Sequence, residues 1–225
     1  MSYTDVVSSA DTTQRSNLKS KKQELVRREI WIAAIDLFFL EGFDDVTIDQ
    51  IAERVGISRR TFFRYFASKD DVMGSTMKAY GAALEEAIRA EATSLGAFEV
   101  AKRSVAKVLM CQPSSEIPGR VMGISKRSSA ALSAQFLQLP VVEEKLARTF
   151  ASRAGRWDEP SIEDRIIASV TFAATKLCVD LWVGEPNRPV DEIVEEVFGK
   201  LSGICKPEEQ HVGSAGRSRS PLKPS

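Results

Sequence analysis

A chain of 225 residues with 43% apolar side chains is long enough to bury one small core and one larger one. Its 31 basic and 31 acidic residues cancel, so no global field draws it to polyanions, and nucleic-acid contact would need local charge segregation. Three widely spaced cysteines (Cys111, Cys178, Cys205) and a lone histidine, His211, in a polar tail supply no disulfide frame, no metal set and no histidine-based catalytic site. That usage points to a reducing, cytoplasmic setting and to a protein that is not an enzyme and needs no cofactor.

Residues 1–22 are rich in Ser, Thr and Lys without periodicity and are predicted to form a disordered basic arm. Arg15, Lys19, Lys21, Lys22, Arg27 and Arg28 meet only Glu24 in this region. Such a run suits phosphate or minor-groove tracking and equally suits a solubilising tail. A first helix is expected over about residues 24–41, with Ile30, Ala34, Leu37 and Phe38 as its buried stripe and Gly42 at its end.

Thr47 and Gln50 then make a capping-box pair that starts a helix at Ile48. Ile51, Ala52 and Val55 recur at helical spacing, and Gly56 ends the helix because glycine enters the left-handed region without steric cost. Ile57 fills the corner and Ser58 caps a second helix, SRRTFFRYF. Two short helices around a tight turn are the layout of a helix-turn-helix, whose second helix enters the major groove.

On that second helix, 100° per residue groups Phe62, Tyr65 and Phe66 on one side and sets Arg60 and Arg64 opposite. Thr61 and Phe63 flank the basic side and Arg59 lies near its edge. Phe62 and Phe66 read as core, whereas Phe63 is placed to pack on a thymine methyl. Taken singly, each arginine would read as solvated surface. Together, Arg54, Arg59, Arg60, Arg64 and Lys69 fall in sixteen residues without an acid. Ser68 and Asp71 repeat the capping-box pattern, which puts Lys69 in the first turn of a new helix, where a cation calls for a nearby anion such as phosphate.

That helix is expected from Ser68 to near Ala92, with Met73, Met77, Tyr80 and Leu84 at 3–4 spacing. An amphipathic helix follows from Ala97 to Cys111 and closes at Gln112-Pro113. Residues 116–138 are predicted to be broken or kinked, because Gly119, Gly123 and Ser128-Ser129 weaken a helix there. Pro140 suits the start of a helix that Val142, Leu146 and Phe150 carry to about Arg153. Ser161 and Asp164 cap the most apolar segment, in which Ala168, Ala173 and Ala174 permit close helix approach. Lys176 and Asp180 interrupt its apolar run, so no membrane span and no membrane partner are expected. Pro189 opens a last helix with Ile193, Val194, Val197, Phe198 and Leu201 as its stripe. From Lys206 onward the composition reads as a disordered tail.

Thr47, Ile51-Ala52, Gly56-Ile57-Ser58, Thr61-Phe62-Phe63, Tyr65-Phe66 and Ser68-Lys69 together resemble the hallmark run of the tetracycline-repressor (TetR) family of bacterial regulators. The likeness covers Leu25 to Val72. It implies an all-α fold with an N-terminal three-helix helix-turn-helix domain (residues 23–71) and a larger C-terminal helical domain for ligand binding and dimerisation (residues 72–205). The 1–22 arm and the 206–225 tail lie outside both. By position, the resemblance makes Arg59, Arg60, Thr61 and Phe63 candidates for base-edge contact, Thr47, Ser58, Tyr65 and Lys69 candidates for phosphate, and Arg64 part of the same face. Phe63 stands where many members carry Tyr, and Arg60 where many carry Gly. Because Arg favours the O6/N7 edge of guanine, a G-containing half-site is expected.

The same resemblance implies partners: a double-stranded operator, a second copy of the chain, and a small-molecule effector of apolar or acyl type whose identity the sequence does not fix. Candidate pocket residues are Met77, Tyr80, Leu84, Val108, Met122, Phe150, Phe172 and Lys176, residue types that are more often plain core than pocket lining. Lys176 suits a ligand carboxylate or phosphate, or snorkelling to solvent. The last two helices resemble the pair that the family docks as a four-helix bundle between protomers, although both stripes would also fit one chain's core. The expected function is therefore a dimeric repressor released from DNA by its ligand. The alternative is a dimeric DNA-binding protein without a small-molecule effector, governed by a protein partner or by concentration.

Overall fold

The computed structural model describes the backbone of residues 3–204 and the side chains of residues 21–204. Among the described residues the chain forms ten helices and no strand: α1 (Tyr3–Glu41), α2 (Ile48–Val55), α3 (Arg59–Phe63), α4 (Lys69–Ala90), α5 (Ala97–Met110), α6 (Glu116–Arg127), α7 (Ser129–Phe136), α8 (Leu139–Arg153), α9 (Ile162–Gly184) and α10 (Val190–Ile204). The first helix is longer than its hydrophobic stripe predicts. It runs back to Tyr3, where the sequence suggests an arm without structure up to residue 22. No Gly or Pro interrupts residues 3–41, and once the packed half is nucleated each further turn costs little. The predicted 206–225 tail lies outside the described residues.

Two cores organise the molecule. The first joins Ile30, Phe38, Ile51, Phe62, Phe66 and Val72 of α1–α4. It also takes in Val121 and Ile124 of α6 and Ala131 and Ala134 of α7. Division of the chain at residue 71/72 therefore cuts through this core, because α6 and α7 come back to cover the unit formed by α1, α2 and α3. Two small residues permit the approach. A Cβ built on Gly123 would lie 3.0 Å from the Phe39 ring of α1, and one on Gly74 of α4 would lie 3.1 Å from the Ala134 carbonyl oxygen of α7. The predicted break in residues 116–138 falls at Ser128, which caps α7, and not at the glycines, which sit inside an intact α6.

The second core gathers Leu84, Ile88, Val105, Leu109, Leu146 and Phe150 with α9 and α10. The α10 stripe, Ile193, Val194, Val197 and Phe198, is buried in this core, with Phe198 edge-on to Phe98 at 5.4 Å. That stripe is thus covered within the chain, the alternative that the sequence leaves open beside docking across an interface. The α9 helix is long and apolar enough by length and composition to cross a bilayer. Here it packs on α8, α10, α5 and α6 instead, and Lys176 and Asp180 pair on it at 2.8 Å.

Its start is fixed locally. The Asp164 N–H donates to Ser161 Oγ (3.3 Å), the Ser161 N–H donates to the Asp164 carboxylate (2.9 Å), and Arg156 donates to that carboxylate as well. Burial works against the ionised Asp164, but Arg156 and Ser161 outweigh it and hold the pKa below the ordinary 3.8. A depressed folded-state pKa contributes stability that is complete above the unfolded value and lost as pH falls through the folded one. Asp164→Asn is expected to lower stability by about 1.5–3 kcal/mol near neutral pH. In urea titrations, the gap between variant and parent should close as pH is taken below 3.8.

Candidate nucleic-acid interface

The turn between α2 and α3 is built by the residues that its sequence singles out. Gln50 N donates to Thr47 Oγ1 at 3.3 Å, and Thr47 N donates back to Gln50 Oε1 at 2.8 Å, which closes the capping box. Gly56 takes the left-handed conformation (φ 71°). Ile57 N donates to Ala52 O (2.9 Å) and Gly56 N to Glu53 O (3.0 Å), the 6→1 and 5→2 bonds of a Schellman ending. Ser58 Oγ then accepts from Thr61 N at 3.1 Å and starts α3. Five residues of α3 are regular helix, shorter than the predicted segment through Phe66; the bonds Arg64 N to Thr61 O and Tyr65 N to Phe62 O tighten its last turn.

Phe62 and Phe66 are fully buried beneath α3, with ring centroids 5.9 Å apart. Their burial fixes which side of the helix faces outward. That side presents Arg59, Arg60, Phe63 and Arg64, all exposed. Phe63 remains 45% exposed, edge-on to Phe62 at 5.7 Å and beneath the Arg59 guanidinium at 5.6 Å. Arg59 meets Asp49 of α2 at 2.8 Å, but both side chains are well exposed. A pair so wetted is weak and readily exchanged for phosphate. Nothing in the sequence marks Asp49 as its partner, since the contact depends on how α2 and α3 cross. Arg60 has no ion pair among the described residues, and Arg64 rests on Tyr65, donating to its hydroxyl at 3.0 Å. Thr47, Ser58 and Thr61 keep their hydroxyls at the rim, Ser58 and Thr61 sharing a bond of 2.9 Å.

Lys69, assigned to phosphate by position, and Arg27, read as one of the N-terminal basic run, are both occupied within the protein. Lys69 Nζ donates to the carbonyls of Phe43 (2.7 Å), Asp44 (3.2 Å) and Val46 (2.7 Å) and lies 5.0 Å from the Phe43 ring centroid. All three ammonium donors are used. In place of an anion, this first-turn cation meets the carbonyl dipoles of the loop joining α1 to α2. Asp71 also departs from the capping-box reading: its carboxylate accepts from Ala67 N, one residue before the cap. Arg27, read as part of a basic arm, instead donates to Tyr65 O at 3.0 Å and stacks on Phe66 at 4.4 Å. It clamps the end of α3 onto α1.

Lys69→Met keeps the aliphatic stem and removes the three bonds. It is expected to lower stability by about 2–3 kcal/mol, measurable by thermal unfolding. A phosphate-binding lysine would instead change the slope of log affinity against log salt by about one. That slope is expected to stay at the parental value, at a temperature where both proteins are folded.

Where the helix-turn-helix unit meets the larger half, a cavity of about 510 Å³ lies between α1, α4, the end of α5 and α6. Of the sequence candidates for a pocket, Tyr80 and Val108 line it. Leu84 and Phe150 are buried in the second core and Met77 and Phe172 pack against it. Met122 is half-buried on α6 outside the lining. Lys176 points to solvent in its pair with Asp180. The candidates outside this lining come from apolar stripes that pack on one another in the second core.

A capped α2, a left-handed corner and a short α3 with a basic outer face define a helix-turn-helix DNA-binding protein. Residues 30–75 match the profile of bacterial regulatory proteins of the tetR family. TcmR, an HTH-type transcriptional regulator of Streptomyces glaucescens, is 26% identical over 186 residues, 80% of this chain and 82% of TcmR. Among solved structures, the fatty acid degradation regulator FadR of Bacillus halodurans has a TM-score of 0.56 at 17% identity, over 80% of this chain and 96% of FadR. FadR of Bacillus subtilis, solved with stearoyl-CoA, gives 0.53 at 19% identity, over 77% of this chain and 96% of that one. Residues 30–75 thus form a DNA-binding domain of the tetR type of bacterial regulatory proteins, in a chain that is similar along most of its length to a transcriptional regulator.

Proposed function

We propose that this regulator binds a specific operator as a dimer and is released from it by a small amphiphilic ligand. The observation that carries the DNA reading is the outer face of α3, where Arg60 and Arg64 meet no acid among the described residues while Phe62 and Phe66 anchor the opposite side. Arg60 on this face suits a guanine edge, and Phe63 beside it suits a thymine methyl. Thr47, Ser58 and Tyr65 suit phosphate, and Thr61 the neighbouring base edge.

Dimerisation is supported by α9. Ile162, Ile166, Ser169, Ala173 and Leu177 fall within one narrow stripe at 100° per residue and are all exposed. Ile162 is 73% exposed and Ile166 57%, a poor arrangement for a lone chain. Two reading heads held by such a face would engage two half-sites one helical turn apart. A cavity large enough for a small molecule favours the ligand-responsive reading over a regulator without an effector.

The test is selection of duplex DNA from a random pool by the full chain. The expected product is an inverted repeat containing G, bound with a steep salt dependence. Recovery of no preferred sequence would overturn the reading.

A further inference from the structure

The cavity has an unusual address: it is shared between the reading head and the sensing half. Its apolar wall comes from Trp31 and Ile32 of α1, Ala83 of α4, Val108 of α5, and Ile117 and Val121 of α6. Phe66, the residue that anchors the end of α3, also reaches it. The charged groups on its lining are Arg27, Arg28, Lys78 and Glu24, an excess of cations over acid. Arg28 has no ion pair among the described residues, and Lys78 holds only an exposed 3.3 Å contact to Asp71.

Two polar groups on the lining are also left over. Thr76 is buried and its hydroxyl has no hydrogen-bond partner; a rotation about χ1 exchanges that hydroxyl with its methyl. A buried hydroxyl without a partner costs about 1–3 kcal/mol, a cost that a polar ligand atom would relieve. Tyr80, its pKa pushed up to about 12 by burial, stays a neutral phenol and so a donor.

We infer that this junction cavity is an effector site for a carboxylate-bearing amphiphile, its chain among the apolar residues and its head at Arg27, Arg28 and Lys78. The inference rests on the regulator reading above. It adds a direct route from ligand to DNA. Arg27 holds the Tyr65 carbonyl at the end of α3 through a bond to a neutral acceptor. A carboxylate adds a full negative charge opposite the guanidinium and is the stronger partner, so the ligand draws Arg27 off and releases α3 from α1. Ligand and operator then weaken one another by the same factor.

Calorimetry with dodecanoate and dodecanol on the full chain separates the parts of this proposal. Dodecanoate is expected to bind, and dodecanol at least about tenfold more weakly, the usual scale for losing one charged contact. Ala83→Trp, which fills the cavity, is expected to abolish dodecanoate binding. Ala79→Trp, at an exposed position on the same lining, provides a second block should the first fail to fold. On DNA selected by the protein, saturating dodecanoate is expected to weaken the parent by about tenfold or more and Arg27→Gln much less. Failure of octanoate to hexadecanoate to bind overturns the site, as does equal binding of the alcohol or undiminished binding by a folded blocking variant. Failure to select any DNA sinks the regulator reading instead, and leaves ligand binding to the free protein as a separate result.

Discussion

Arg60→Glu is expected to reduce operator affinity by roughly 100-fold or more while leaving the thermal unfolding transition unchanged. Arg60 lies on the outer side of α3, exposed, and makes no ion pair among the described residues, so its loss removes nothing from the core. Reversal of its charge both deletes a base or phosphate contact and places a carboxylate against a polyanion. Gel-shift titration at fixed salt reads the effect, and circular dichroism the fold. Unchanged affinity would mean that α3 does not enter the groove. Arg59→Glu is a weaker test, because Arg59 already neighbours Asp49 at 2.8 Å and its reversal perturbs α2 as well.

A second large effect concerns assembly. Ile166→Glu combined with Leu177→Glu is expected to yield a folded monomer at concentrations where the parent sediments as a dimer. Each dimer would then have four carboxylates in a face meant to exclude water, a cost of at least several kcal/mol. DNA affinity should fall with it, since two half-sites are no longer linked. Phe198→Glu is the contrasting variant. Phe198 is 1% exposed and packs on Phe98 within the chain's own core, so a charge there is expected to destabilise the larger helical half by about 4 kcal/mol or more. A folded, monomeric Phe198→Glu would restore α10 to the interface; a dimeric α9 variant would remove α9 from it.

The helix-turn-helix is legible in sequence because its signals are local. Thr47 with Gln50, Gly56 and Ser58 each act on backbone groups within five residues, so the sequence states both the residue and its partner. Ser161 with Asp164 is read for the same reason. Where partners are remote, the reading loses its grip. Lys69 and Arg27 are identified as cations, yet their carbonyl partners lie 23 to 38 residues away and depend on how α1, α3 and α4 cross. The α10 stripe is correctly seen as apolar, but apolarity does not say whether the covering surface belongs to the same chain. Likewise Met77, Leu84 and Phe150 are rightly placed on inward faces, and the space between helices opens elsewhere, where Pro113 and Pro118 flank the turn from α5 to α6.

The return of α6 and α7 to the head has a practical consequence for grafting. A chimera that splices another protein's reading head at the start of α4 would strip Ile124, Ala131 and Ala134 of their neighbours and leave Arg120 and Arg127 without Asp36 and the Phe39 carbonyl. Transplanted specificity would arrive in an unstable host. A graft that carries residues 116–137 along with the first 72 keeps both halves of that seam but moves the joint to the packing of α7 on α4, where Gly74 lies close against the Ala134 carbonyl, so that face would have to be matched as well.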